Sequence, residues 1–396
     1  MPRYTDRAAR LLAKADVEIN GSRPWDPQFD DPEAFFRTLP SGRTLFAARQ
    51  YMDRTWSCKD LEEMLFRVFR ARLQGEYEKE GWLELGSLFL LSYIINPQSI
   101  LRSRRVGKEH YDLGNQFYKL MLSNSDYSAA NWEGIEPAGD PDKLPEAQAL
   151  KKRRFFANMH LKGGERVLDI GCGWGDAMAF AVEKCGVSEA VGFTISEEQY
   201  HGCVKRWAHL GNKMKFYFAD YREVDPHELG KFDCVGSIGM GEHVGEKNFR
   251  GYMRFASQCL RPGGTFAYHS IFGSGRPDGF YNTYIFPGGS LPRESVVIEA
   301  ARSNRLVLED YENFGHDYYL TCTAWKANCV RHRAAMEAVS GEMMIRMCGS
   351  FDRFWRMWAD MYLDSARAGF RSRRFSVGRM VFVKGGTIGG WRRPLR

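Results

Sequence analysis

From Val167 onward the chain alternates short apolar runs with stretches whose apolar residues recur every three or four positions. Val167–Ile170, Ala190–Phe193, Lys215–Ala219, Phe232–Ile238 and Gly263–His269 read as strands, with a final strand at Arg379–Lys384. Helical periodicity fills the gaps, one such stretch opening near Asp176. Strands alternating with helices build a parallel α/β sheet, and such sheets hold ligands at the carboxyl ends of their strands. Gly171, Thr194, Asp220, Ser237 and His269 all fall at those ends. Residues 1–100 read differently, as largely helical, with apolar residues at helical spacing over Leu61–Leu73 and Trp82–Ile95. Asn96-Pro97 and the basic stretch to Lys108 read as a linker. The expected organisation is a helical N-terminal domain, 1–100, followed by an α/β domain, 101–396. Within the latter, 271–318 is rich in Gly, Pro and aromatics, which suits a lid over an apolar channel.

A chain of 396 residues exceeds one typical core, and at 44% hydrophobic it can bury its cores without disulfides. The nine cysteines are scattered and lack paired metal-ligand spacing, so no metal is expected. They read as small buried apolar side chains in a reducing cytoplasm. Met1-Pro2-Arg3-Tyr4-Thr5-Asp6 carries no apolar signal-peptide core. The longest apolar run, Ser87–Ile95, is far below the ~20 residues of a membrane span. A cytoplasmic protein is expected, with any membrane contact peripheral, at the inner face of the plasma membrane. The net charge of +7 is uneven: the first hundred residues hold 14 basic and 15 acidic side chains, or −1, leaving +8 for the rest. Residues 367–396 hold nine Lys/Arg and no acid, and Lys151-Lys152-Arg153-Arg154 and Arg102-Ser103-Arg104-Arg105 add two clusters. A polybasic surface gains roughly 1 kcal/mol per charge beside anionic headgroups. No nucleic-acid motif accompanies the charge, which argues against that partner.

The chemistry is densest in Val167-Leu168-Asp169-Ile170-Gly171-Cys172-Gly173-Trp174-Gly175. An apolar strand with a late acid breaks into three alternate glycines, which let the backbone turn sharply and approach a ligand closely. Asp-x-Gly-x-Gly-x-Gly differs from the dinucleotide fingerprint and is the pattern expected of an S-adenosylmethionine pocket. The second strand ends in Thr194-Ile195-Ser196-Glu197-Glu198-Gln199, where a NAD site wants an acid. Ser196 is placed there as a helix N-cap. The third strand ends at Asp220-Tyr221-Arg222, an acid suited to an adenine amino group.

His110-Tyr111-Asp112-Leu113-Gly114-Asn115, Tyr127-Ser128, the glycine turn, Gly239-Met240-Gly241-Glu242-His243-Val244-Gly245, Tyr284-Ile285-Phe286-Pro287-Gly288-Gly289 and Phe314-Gly315-His316-Asp317-Tyr318 occur in this order. Together they resemble the cyclopropane fatty acid synthase family, which includes the mycolic acid cyclopropane synthases, over about Gly107 to Gly385. The resemblance implies the class I S-adenosylmethionine-dependent methyltransferase fold, a seven-stranded, mostly parallel, doubly wound sheet. It also implies an N-terminal domain for lipid presentation or oligomerisation, a homodimer included. The implied substrate is a phospholipid with unsaturated acyl chains. Tyr127, Ser128, Asp169, Gly171, Gly173, Gly175, Thr194, Gln199, Asp220, Tyr221 and Ile238 are assigned to the cofactor. The implied base is a bound bicarbonate, held by Glu242, His269, Tyr318 and the amides of Ala129 and Ile271. Glu242 accepting from the anion while His269 and Tyr318 donate is chemically sensible.

Two positions depart from the family pattern. Ala129 stands where Cys is common, and Gly241 replaces a bulky, usually aromatic residue beside Glu242. The second change is expected to enlarge the pocket or remove a cation-stabilising ring face. The lead reading is methyl transfer to a cis double bond with closure of a cyclopropane ring. Transfer that ends in a methyl or methylene branch, methylation of a small-molecule amine, and idle lipid or cofactor binding are the alternatives.

Overall fold

The computed structural model describes residues 4–73, 115–123, 126–275, 278–341, 344 and 347–394. The expected helix at Trp82–Ile95, the linker, the Arg102–Arg105 cluster and the motif residues His110–Gly114 lie outside the described residues. Seven strands form the central sheet: β1 (Arg166–Ile170), β2 (Glu189–Thr194), β3 (Met214–Phe218), β4 (Phe232–Ile238), β5 (Leu260–Phe272), β6 (Leu306–Asn313) and β7 (Ser376–Lys384). Their spatial order is β3-β2-β1-β4-β5-β7-β6. The first five are parallel, and β7 runs antiparallel between β5 and β6. This is the expected class I sheet, with its ligand edge at the carboxyl ends of β1 to β5.

Alternation along each strand feeds two cores. Leu168, Val191 and Val235 face one side, where Tyr252 and Phe255 cover them. Val167, Ala190, Cys234 and Ala267 face the other, against Phe155 and Met178. The sequence reading missed β6. Its run Leu306-Val307-Leu308-Glu309-Asp310-Tyr311-Glu312-Asn313 is an edge strand with a bulge at Leu308/Asp310, and its acids mask the alternation. The expected lid over 271–318 therefore narrows. Residues 294–302 form a helix packed on β6, and 306–313 belong to the sheet, leaving within 273–293 the residues, Phe280, Tyr281 and Phe286 among them, that line the cavity.

The N-terminal helices are α1 (Tyr4–Ala13), α2 (Pro32–Met52) and α3 (Leu61–Arg70). Asp31 and Asp60 cap α2 and α3 by accepting from the amides of Ala34 (3.0 Å) and Glu63 (3.1 Å). The apolar faces of these helices join a core that other parts of the chain also build. Phe36, Trp56 and Met64 share one core with Phe117, Tyr318, Trp325 and Trp358. Arg371 ties the two parts by donating to Glu62 (3.0 Å) and Glu63 (2.7 Å) of α3.

Candidate active site

At the end of β1 the backbone of Gly171, Gly173 and Gly175 takes φ of +89°, +55° and +77°. A Cβ on Gly171 would meet the Met240 side chain at 3.1 Å, and one on Gly175 would meet Phe216 and Trp207 at 3.0 Å. A Cβ on Gly173 meets nothing within 4 Å. Gly171 and Gly175 are thus glycines of turn and packing, while Gly173 fronts the space a ligand would fill. Burial, with Asp126 adding to it, pushes the Asp169 carboxyl up to about 7. Thr194 donates to Gln199 Oε1 (2.7 Å) and accepts from the Ser196 amide (3.1 Å), so the end of β2 is internally braced. Asp220 accepts from the Arg222 amide (3.0 Å) and Nε (2.8 Å), and Tyr221 packs edge-on to Tyr252 at 5.2 Å. Ile238 lines the same cavity. Ser237 does not reach it: its hydroxyl donates to the Ile170 carbonyl (3.1 Å) and accepts from Tyr252 (2.6 Å) within the core.

A second support was not legible as a motif. Helix α4 (Asn115–Leu122) leads into the 126–128 loop, which two side chains of α5 (Leu144–Ala157) grip. Gln148 donates to the carbonyls of Asp126 (3.1 Å) and Ser128 (2.8 Å). Lys151 donates to Asp126 Oδ2 (2.6 Å) and Ser128 Oγ (2.9 Å). Burial alone would raise the Asp126 carboxyl, yet Lys151 and Lys152 hold it below its ordinary value. The expected basic cluster at 151–154 is thus largely tied up: Lys151 is buried and paired, Lys152 reaches Asp126 and Arg154 bonds Glu133, while Arg153 is exposed. Only the three-residue spacing of Gln148 and Lys151 on one helix face hinted at a joint role.

The residues assigned to the anion include two near the ends of β4 and β5, Glu242 and His269. Glu242 sits on the short helix α6 (Gly241–Val244), buried, with Oε1 accepting from the Ile271 amide at 2.7 Å. That amide, expected to hold the anion, serves Glu242 instead. Oε2 is buried and without a partner among the described residues. Burial, partly offset by the Ile271 amide, raises the Glu242 carboxyl to about 7. His269 is buried against Phe314 (5.2 Å), and burial together with Lys151 and Arg379 keeps its imidazole neutral. Tyr318 stacks on Phe370 at 4.6 Å, and burial keeps its hydroxyl protonated. Glu242, His269, Tyr318 and Ala129 line one cavity. Ala129 is held beside Tyr318 because Thr321 accepts from the Ala130 amide (3.0 Å) and Asp317 accepts from Asn131 (2.9 Å). An unpartnered buried acceptor and two neutral donors on the wall of one cavity suit a small anion that carries one hydroxyl.

Gly241 does not enlarge this cavity. Its missing Cβ points at the Tyr268 hydroxyl, 1.8 Å from where that Cβ would stand, and Gly241 is absent from the cavity wall. The cavity measures about 2520 Å³ and is lined by residues from the sheet ends, from 274–291 and from the N-terminal helices. Ordinary small-molecule sites reach about 1,000 Å³, so this one has room beyond a nucleoside cofactor. The extension is mostly apolar, with Phe35, Phe36, Leu65, Val68 and Phe69 from α2 and α3, and carries Arg7, Arg37 and Arg72 as well.

The acid-free tail is likewise no loose basic arm. Arg367, Arg379 and Arg393 pair with Asp364, Glu312 and Asp310, and Lys384 donates to the carbonyls of Ser257 and Leu260. Among the described residues no helix is long and apolar enough to cross a membrane, and no cluster of metal ligands occurs. All nine cysteines are free thiols.

A sheet of this order, with a glycine turn after its first strand and an acid after its third, defines an S-adenosylmethionine-dependent methyltransferase. The family profile "Mycolic acid cyclopropane synthetase" matches residues 98–380, and the chain belongs to that family. It is 35% identical over 385 residues to the cyclopropane-fatty-acyl-phospholipid synthase of Escherichia coli K12, covering 96% of this chain and 93% of that one. It is 26% identical to the tuberculostearic acid methyltransferase UfaA1 of Mycobacterium tuberculosis, covering 90% and 82%. The solved mycolic acid cyclopropane synthase CmaA1, complexed with SAH and CTAB, superposes with a TM-score of 0.61 at 27% identity, covering 71% of this chain and 98% of that one. Coclaurine N-methyltransferase, at 16% identity and a TM-score of 0.65, shares the fold alone.

Proposed function

We propose that the protein adds the methyl group of S-adenosylmethionine across the cis double bond of an unsaturated phospholipid acyl chain and closes a cyclopropane ring, with bicarbonate as base. The carrying observation is the Glu242 carboxylate: one oxygen pinned by Ile271, the other buried and unpartnered in the cavity that His269 and Tyr318 also line. Bound together, the sulfonium cofactor would supply an electrophilic methyl and the anion a base for the proton lost on closure. Gly173 leaves the approach to the cofactor open, and Lys151 and Gln148 fix the Tyr127–Ser128 loop. His269 and Tyr318 stay neutral and donate, while Glu242 accepts. Tyr127, Phe286 and Tyr362 present ring faces and edges to positive charge on the chain and exclude water from it. The mostly apolar extension between α2 and α3 supports a long acyl substrate, and the E. coli relative's name supports a phospholipid one. Contact with a membrane surface then follows from access to that substrate. The paired tail gives little reason to attribute it to charge.

Expression in a host lacking its own synthase, with lipid mass spectrometry and chromatography against ring and branch standards, tests the reading. Lipids gaining one methylene as a ring support it. A branch would show transfer without closure, and unchanged lipids would favour a small amine substrate. Glu242→Gln should cut ring formation on the order of 10²-fold with cofactor affinity nearly unchanged. Full activity in that variant would remove the anion site from the mechanism.

A further inference from the structure

The position beside Glu242 carries an arrangement that neither residue explains alone. Gly241 opens α6 at an ordinary helical backbone, so no left-handed conformation calls for glycine there. Its space does. An ideal Cβ would lie 1.8 Å from the Tyr268 hydroxyl oxygen, 2.8 Å from Tyr268 Cζ and 2.5 Å from Ser270 Oγ. No side chain coexists with Tyr268 in this position. Tyr268 is fully buried on β5, in edge contact with Phe249, Tyr252 and Phe272 at 6.3–6.4 Å. Its hydroxyl makes no well-formed hydrogen bond among the described residues, the Ser270 hydroxyl being the polar group beside it. Burying an unsatisfied hydroxyl costs about 1–3 kcal/mol, so a phenylalanine here would serve packing better. The ring reaches from the sheet into the volume that a side chain on α6 would fill. Glu242 is the next residue, and its Oε1 is pinned to Ile271, three positions along the same strand from Tyr268.

We propose that Tyr268 is a positioning residue for Glu242, and that Gly241 and Tyr268 act as one exchangeable unit seating α6 against β5. A side chain at 241 and a tyrosine at 268 are alternatives for the same volume. Either seats the helix, and both together displace it and swing the Glu242 carboxylate off the Ile271 amide. The inference rests on the role of Glu242 proposed above.

Four variants test it: Gly241→Phe, Tyr268→Leu, the two combined, and Glu242→Gln. The assays are ring formation on unsaturated phospholipid vesicles and calorimetric affinity for S-adenosylmethionine. Gly241→Phe should lose on the order of 10²-fold in rate with cofactor affinity within about twofold, since a 1 Å misplacement reaches that size. Tyr268→Leu should lose only a few-fold, and the double variant should recover to within about tenfold of the unaltered protein. A double variant no better than Gly241→Phe overturns the pairing, provided Glu242→Gln is itself impaired. Full activity in Glu242→Gln would instead sink the anion reading and leave the steric coupling to be judged by stability alone. If Gly241→Phe does not fold, Gly241→Ala with and without Tyr268→Phe replaces it, because removing the hydroxyl relieves the closest approach and Ser270 can rotate away. Failure of Tyr268→Phe to improve the thermal midpoint of Gly241→Ala also overturns the pairing.

Discussion

The two ends of the cavity are built in opposite ways. The cofactor end is assembled from neighbours in sequence: three glycines within five residues, Thr194 bonded to Gln199, Asp220 bonded to Arg222. The apolar end is assembled from residues far apart. Tyr127 meets Tyr362, 235 positions away, and Arg371 meets Glu62, 309 away. A methyl donor of fixed shape needs a rigid backbone cradle, which short-range turns supply. A long acyl chain needs volume and apolar walls, which only packed helices enclose. The two ends should therefore fail differently when damaged.

The largest effect is expected at the cradle. Gly171→Val forces a branched residue to φ +89° and drives its Cβ against Met240. It should abolish measurable cofactor binding by calorimetry and lower stability as well. Gly173→Ala separates the two consequences. Its Cβ meets no protein atom, so it should weaken binding while costing about 1 kcal/mol of stability for the left-handed backbone. Unchanged affinity in Gly173→Ala would show that the ligand does not approach there.

Next comes the grip of α5 on the 126–128 loop. Lys151→Met leaves Asp126 with only Lys152, at 3.4 Å. Losing one partner of a buried pair costs about 3–5 kcal/mol, visible in urea unfolding. Cofactor affinity should fall roughly tenfold through the loosened Tyr127–Ser128 segment. Affinity equal to the unaltered protein's would confine Lys151 to folding.

Protonation offers a third probe, directed at the boundary between the ends. Glu242 ionises at about 7 when folded, against an ordinary 4.5. The folded state then binds the proton more tightly than the unfolded one. This contribution to stability is complete below about pH 4.5 and lost as pH rises through about 7. A shift of this size corresponds to on the order of 3 kcal/mol. Glu242→Gln should gain that much relative to the unaltered protein between pH 4.5 and 8, read by chemical unfolding without ligand. A pH-independent difference would place the Glu242 carboxylate in water rather than in the protein interior.

The same contrast explains what could be read from the sequence. The glycine turn and six of the seven strands were legible because short motifs and period-two alternation are local signals, whereas Glu242, His269 and Tyr318 were named only through the family resemblance. β6 was not legible, since an edge strand with three acids loses its alternation. The lining by α2 and α3 was not, because periodicity shows that a helix has an apolar face but not what that face meets. The pairing of the tail's cations was not legible for the same reason. Composition counts the cations of 367–396, while Glu312, Asp310 and Asp364 reach them only through the fold. Gly241 misled most instructively: a missing side chain suggested a larger pocket, and Tyr268 fills it from a strand 27 residues away.

The smallest effect tests where the two ends divide. Tyr127 follows Asp126 in the gripped loop, yet its hydroxyl meets that of Tyr362 at 2.7 Å and its ring stacks on Phe286 at 6.1 Å. Tyr362 closes a π-helical turn, Arg356–Tyr362, that interrupts the helix leading to Arg371 and turns its tyrosine toward the cavity. Tyr362→Phe removes one hydroxyl and leaves that of Tyr127 unpaired, at a cost of about 1 kcal/mol. If Tyr127 is fixed chiefly from α5, cofactor affinity should hold and ring formation should fall a few-fold as the ring facing the acyl chain loosens. Lost affinity with intact turnover at saturating cofactor would move Tyr127, and the boundary with it, to the cradle side. The predicted split is in rate because Gln148 and Lys151 already supply four hydrogen bonds to the flanking residues, whereas Tyr362 is the hydroxyl's partner at the far end of the ring.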